Sequence, residues 1–388
     1  MSPLADCTPE AEWLEQVARQ QGIGEPTLLL CRPRFRIDEK VLRRQASQPE
    51  AIMPPSAYLE RCVSESRIST GRAKMACHQS LFRRLADAGL EVDPAILVAI
   101  WGIESGFGTF MGGFNAIEAL STLSCRALGR QRFFVDNLVA ALEIVERGIA
   151  SAEGLLGSWA GAMGHTQFMP RSFLNYGISL TEGPPDIWSA DPSDAIASAA
   201  NFLVAAGWKA GEPVLSEAVL PSNFDLSVNF GNERRRLSEW ENAGVSFLDV
   251  DAGLLAEMAS RLILPAGAGG PALAAFENFD AIGNYNRSLN YQLAVALLAR
   301  AVDGRGDIQA SWPEAHHYLS RSETVELQRL LHLEGHDTGG IDGLVGPATR
   351  AAVQSVQVRE GWPADGFPDR RLLLCLRQRH DVPSQSDE

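Results

Sequence analysis

The chain has 388 residues, 45% of them hydrophobic and 21% charged, which is enough for one large domain and a small one, each with its own core. Its 34 basic and 48 acidic residues give a net charge of −14, which argues against a polyanion such as nucleic acid as the main partner. No apolar run reaches the ~18 residues of a membrane span, and the first eight residues show no basic region followed by an apolar stretch, so neither a span nor a secretory signal is visible.

Residues 10–90 read as several helices, with periodic apolar positions over 12–20, 56–62 and 76–90 and interruptions at Pro33, Pro49 and the Pro54-Pro55 pair. Arg32, Arg34, Arg36, Lys40, Arg43 and Arg44 alternate with apolar residues and suit a solvated helix face. Six scattered cysteines (Cys7, Cys31, Cys62, Cys77, Cys125 and Cys375) include no Cys-x-x-Cys pair. They support neither a zinc site nor a thioredoxin-like motif, and each reads as buried and inert.

The helix expected over 94–104 is the most informative element. Asp93 can cap it, Pro94 suits its first position, and Ile96, Leu97, Ile100 and Ile103 recur at helical spacing, so the segment should be buried. Glu104 closes it, immediately before Ser105-Gly106-Phe107-Gly108. Burial disfavours a charged carboxyl, which suits a general acid, while Gly106 and Gly108 let the backbone turn and a substrate approach. A surface glutamate before a glycine stop is the plainer alternative for this segment taken alone.

Further helices are expected over 115–124, 130–148 and 193–207. Between the second and third lies 158–170, where small residues clear space around Ser158, Gln167, Phe168 and Met169. Such a set suits a sugar, or a close helix contact. From 211 to 280 short segments at 217–220, 245–250 and 262–264 suggest a small β-containing insertion. A polar and aromatic stretch, Gly283 to Tyr291 with Tyr285 and Asn286, precedes a helix over 291–302; its side chains suit amides and hydroxyls, or helix capping. After a loop at 304–313, the last module carries an internal echo, Asp342-Gly343 and Asp365-Gly366, each before a helix starting near Pro347 and Pro368, with an earlier helix over 323–334. Residues 383–388 should be disordered.

The three segments around Glu104, Ser158–Pro170 and Tyr285 to Tyr291, joined by 190–203, together resemble the B-type lytic murein transglycosylases over residues 30 to 300, and the tail is similar to the three-helix peptidoglycan-binding domain. The resemblance implies a mainly α chain: a lysozyme-like α+β catalytic region over 1–315 with its insertion at 211–280, a three-helix domain over 322–380, and a disordered end at 381–388. It implies Glu104 as the single catalytic acid and base. Ser105, Ser158, Gln167, Phe168, Tyr285, Asn286 and Tyr291 would bind substrate, the last three from the segment closing the cleft. The reaction would cleave the β-1,4 bond between N-acetylmuramic acid and N-acetylglucosamine and leave 1,6-anhydromuramic ends. The substrate's N-acetyl carbonyl would replace the second carboxylate of ordinary glycosidases, so Glu118 and Asp136 are taken as structural or surface residues.

Two departures are visible. Many relatives have Asn where this chain has Gly106. The stretch 177–186, where some relatives carry an Asp-rich calcium loop, has two acids and two prolines, so no metal or other cofactor is expected. Peptidoglycan strands are the expected partner, with cell-wall synthesis or secretion machinery as further candidates, for a periplasmic monomer. A muramidase giving reducing ends and a silent wall-binding scaffold are the alternatives.

Overall fold

The computed structural model describes residues 8–46, 53–127, 129–226, 233–314 and 317–380; Cys7, Pro49 and the tail at 381–388 lie outside the described residues. The chain forms two compact units, residues 1–48 with 65–210 and residues 49–64 with 211–388.

In the first unit α1 (Pro9–Gln20), α2 (Glu25–Cys31) and α3 (Glu39–Ala46) lead in; α4 (Pro55–Cys62) belongs to the second unit. The stretch 76–90 is divided at His78, where α5 (Glu65–Cys77) ends and α6 (Gln79–Asp87) begins with Leu81, Phe82 and Leu85 as its buried face. Next comes α7 (Pro94–Ser105), buried without a break from Ala95 to Gly102. A helix apolar on all sides can only be stable inside a core, and α5 and α11 (Ser193–Ala205) pack against it. Asp93 accepts the Ala95 N–H at 2.9 Å at its start. The antiparallel pair β1 (Phe114–Asn115) and β2 (Leu156–Gly157) flanks the helical hairpin α8 (Ala116–Arg126) and α9 (Gln131–Glu146), and α10 (Pro170–Tyr176), which the sequence did not suggest, packs on α9. Glu118 is held by Arg34 at 3.1 Å and Arg36 at 2.8 Å, a structural ion cluster, while Asp136 is exposed.

In the second unit the insertion is a five-stranded antiparallel sheet in the order β4-β6-β7-β3-β5, formed by β3 (Leu215–Val219), β4 (Arg235–Arg236), β5 (Ser246–Phe247), β6 (Ala259–Ile263) and β7 (Ala272–Ala275). Leu237 and Trp240 of α12 (Leu237–Asn242) cover it together with Phe276. Buried Glu217 on β3 accepts the Gln309 and Ala310 N–H groups at 2.6 and 2.7 Å, pinning the 304–313 loop. α13 (Glu277–Tyr285) precedes α14 (Leu289–Val302), on which α4 packs.

The last three helices, α15 (Arg321–Leu333), α16 (Pro347–Arg359) and α17 (Arg370–Arg379), share a core of Leu327, Leu331, Val353, Val356, Leu372 and Leu376. The sequence echo here is a repeated clamp. Gln328 accepts from Gly343 N and donates to Leu344 O at 2.8 and 3.0 Å; Gln357 accepts from Gly366 N at 2.8 Å and donates to Asp365 at 2.7 Å. In both repeats the aspartate also accepts the N–H two residues on. Each buried glutamine thus satisfies the backbone of an Asp-Gly turn that could not otherwise be buried.

Among the described residues no helix is long and apolar enough to cross a membrane. The five described cysteines are free. Cys31 is buried, and burial pushes its thiol up to about 11. Cys77 is exposed, which corrects the expectation of uniform burial: it ends α5 on the solvent side.

Candidate active site

Glu104 is the penultimate residue of α7 and half-buried, at the point where the helix leaves its all-apolar environment. The helix stops because Gly106, Phe107 and Gly108 take left-handed backbone conformations in succession, with φ of 58°, 60° and 85°. Phe107 tolerates this because its ring lies against Trp101, 5.6 Å between centroids, in the space left by Gly102. Gly108 is needed for a reason other than substrate approach: a Cβ there would stand 2.4 Å from the His165 ring.

The segment 157–168 doubles back on itself. Met163 and Phe168 exchange backbone hydrogen bonds of 2.8 and 2.9 Å, and Ser158 Oγ accepts the Ala160 and Ala162 N–H groups at 3.3 and 3.1 Å. Gln167 is half-buried with a φ of 51° and donates from Nε2 to Met111 O and Gly164 O at 3.1 and 2.9 Å, which joins this segment to the loop after Glu104. Phe168 is 2% exposed and packs against Phe202, inside the core.

Ser105 is also buried. Its hydroxyl donates to His165 O at 2.6 Å and accepts from Gly108 N at 2.9 Å. Sequence reasoning passed over His165, since a lone histidine among small residues carries no periodic or spacing signal. It is 4% exposed; its Nδ1 accepts from the Trp101 indole at 3.1 Å, and its Nε2 lies 2.7 Å from Ser189 O. On its other sides the Trp101 indole meets the His78 ring edge and the Lys74 ammonium. Burial and the neighbouring Lys74 hold His78 below its usual range.

In 177–186 the backbone is tied down by carboxylates: Asp194 accepts from Leu180 N and Asp186 N at 2.9 and 3.0 Å, and Asp186 accepts from Trp188 N and Ser189 N. Among the described residues no group of three or more His, Cys, Asp or Glu side chains is placed to hold a metal.

Tyr285, Asn286 and Tyr291 stand together in the second unit. Tyr285 is the last residue of α13 and stacks on Tyr291 with parallel rings 6.5 Å apart; Tyr291 is 3% exposed in the first turn of α14. Exposed Asn286 accepts the Ser288 N–H at 3.0 Å. The half-buried Tyr285 and exposed Asn286 offer polar groups, whereas Tyr291 supports Tyr285 from beneath.

Residues 7–300 match the family model of the transglycosylase SLT domain, and residues 320–376 that of a peptidoglycan binding domain. The chain is 28% identical over 306 residues to the membrane-bound lytic murein transglycosylase B of Escherichia coli K12, covering 75% of this chain and 81% of that protein. It is 40% identical to SltB3 of Pseudomonas aeruginosa, solved in complex with NAG-anhNAM-pentapeptide, with a TM-score of 0.88 over 95% of this chain and 98% of that one. The Escherichia coli lytic transglycosylase Slt35, solved in complex with calcium, is 26% identical, with a TM-score of 0.66 over 77% of this chain and 95% of that one.

Proposed function

Since the chain belongs to the transglycosylase SLT family, we propose that it is a lytic transglycosylase of peptidoglycan in which Glu104 serves in turn as acid and base. The observation that carries this is the placement of Glu104. It ends a buried helix at a glycine turn, it is the sole carboxylate of 101–113, and 156–168 carries none. A two-carboxylate glycosidase needs its second group flanking the bond.

Glu104, protonated, gives its proton to the glycosidic oxygen as the bond to the muramic C1 breaks, and the N-acetylglucosamine leaves as an alcohol. The muramic N-acetyl carbonyl stabilises the positive charge at C1. The Glu104 carboxylate then takes the proton of the C6 hydroxyl, whose oxygen bonds to C1. Glu104 is protonated again, no water is consumed, and the product is a 1,6-anhydro end.

Ser158 and Gln167 are assigned to the glycan from the half-buried surface of their segment, and Tyr285 and Asn286 to its amides and hydroxyls. Ser105, Phe168 and Tyr291 act one layer below, since their contacts are with protein. The region up to 315 is assigned to catalysis and the module at 322–380 to holding the wall. A substrate confined to the cell wall supports a periplasmic location.

Mass spectrometry of the soluble products released from purified peptidoglycan tests this. Anhydro-muramic ends from the intact chain, lost in Glu104→Gln, are expected. Reducing ends would mean a muramidase, and sedimentation with the wall without release would mean a scaffold.

A further inference from the structure

We propose that His165 is a positioning residue for Glu104, a role that rests on the assignment of Glu104 as the catalytic acid. His165 grips α7 on both sides of the acid. Its ring takes the indole N–H of Trp101, three residues before Glu104, and its main-chain oxygen takes the hydroxyl of Ser105, one residue after. An indole nitrogen can only donate, so Nδ1 is an acceptor and the ring proton sits on Nε2, facing the Ser189 carbonyl at 2.7 Å. Both ring nitrogens are therefore used, in a residue only 4% exposed.

The far end of this tie is firm. His165 N donates to Ile187 O at 3.1 Å, Asp186 accepts the Ser189 N–H at 3.1 Å, and the Ser189 hydroxyl donates to Asp191 O at 3.0 Å. The near end is where support is needed, because α7 stops one residue after Glu104 in three consecutive left-handed residues, and the helix contributes no further turn to fix its carboxylate. A misplacement of about 1 Å in a reacting group can cost about 100-fold in rate. The C6 hydroxyl must also be met by the carboxylate before water is, so looser placement of Glu104 lets water attack C1, with the water proton passing to Glu104 and a reducing end formed.

The experiment compares the intact chain with His165→Leu, His165→Asn and Glu104→Gln on soluble glycan strands. It measures kcat and KM per folded molecule and the ratio of anhydro to reducing ends. Leucine keeps the volume and removes both ring bonds; asparagine returns an acceptor near the Nδ1 position. The expected result is a kcat about 10-fold lower at unchanged KM in His165→Leu, a larger share of reducing ends, and partial recovery of both in His165→Asn. Wild-type kcat and product ratio in His165→Leu would overturn the proposal, as would a loss explained wholly by a smaller folded fraction or seen in KM alone. Glu104→Gln, run alongside, separates the two claims: failure of the His165 role leaves the dependence on Glu104 intact.

Discussion

Alanine at Gly108 is expected to damage both stability and turnover, and the size of the effect can be built from two independent parts. The φ of 85° is left-handed, which costs an L-residue about 1–2 kcal/mol. The new Cβ would lie 2.4 Å from His165 Cε1 and 2.5 Å from Nδ1, so the ring must turn away. Turning breaks the 3.1 Å bond from Trp101 and strands a buried indole N–H, at about 1–3 kcal/mol. The sum is about 2–5 kcal/mol. Urea titration followed by amide exchange in α7 measures it, and kcat should fall with it if the ring positions Glu104. Gly113 is the internal control, five residues away in the same loop, since it has no left-handed φ and a Cβ there would meet nothing within 4 Å. The two parts separate in a double-mutant cycle. In a His165→Ala background the clash disappears and only the φ term should remain, so the double variant should be less destabilised than the sum of the singles by about 1–3 kcal/mol. Strict additivity, or equal damage from Gly113→Ala, would refute the reasoning.

In the tail, Gln328→Leu should cost about 2–4 kcal/mol because it strands the buried Gly343 N–H and the Leu344 carbonyl, and it should speed amide exchange at Gly343. The same module should weaken in acid through Glu334. Burial works to raise that carboxyl, but hydrogen bonds and ion pairs with Arg359 and Arg379 outweigh it and hold it below its ordinary 4.5. A carboxyl depressed on folding adds stability above its unfolded value and loses it as pH falls through the folded one, so protection of α15–α17 should drop below pH 4.5. Glu334→Gln should lower protection at neutral pH and flatten this part of the profile; a pH dependence unchanged in Glu334→Gln would rule out the assignment.

What the sequence disclosed follows from the range of the interactions involved. Helices whose caps and apolar periods are local were legible to within about two residues: Asp93-Pro94 and Gly106 bound α7, and the helix expected over 323–334 is α15, which starts at Arg321 behind a capping box of Ser320 and Glu323. The strand order β4-β6-β7-β3-β5 was not, because pairing 215–219 with 272–275 depends on segments more than fifty residues apart. Gly283 shows how a local rule fails. Placed in a polar stretch before a helix, it lies inside α13, where a Cβ would come 3.0 Å from Gln292 Oε1 of α14; its smallness serves helix–helix approach. The site divides in the same way. A family pattern marks positions without saying which atom of each faces substrate, so Ser105, next to the expected acid Glu104, was named as a substrate-binding residue. The structure turns the serine hydroxyl inward to His165 O. Small residues within 158–170 signalled space; from that segment the His165 ring lies over Gly108, a contact between segments nearly sixty residues apart in sequence. The setting of Glu104 was legible because it is written in its own helix, and the contacts that brace that helix end were not, because they come from elsewhere in the chain.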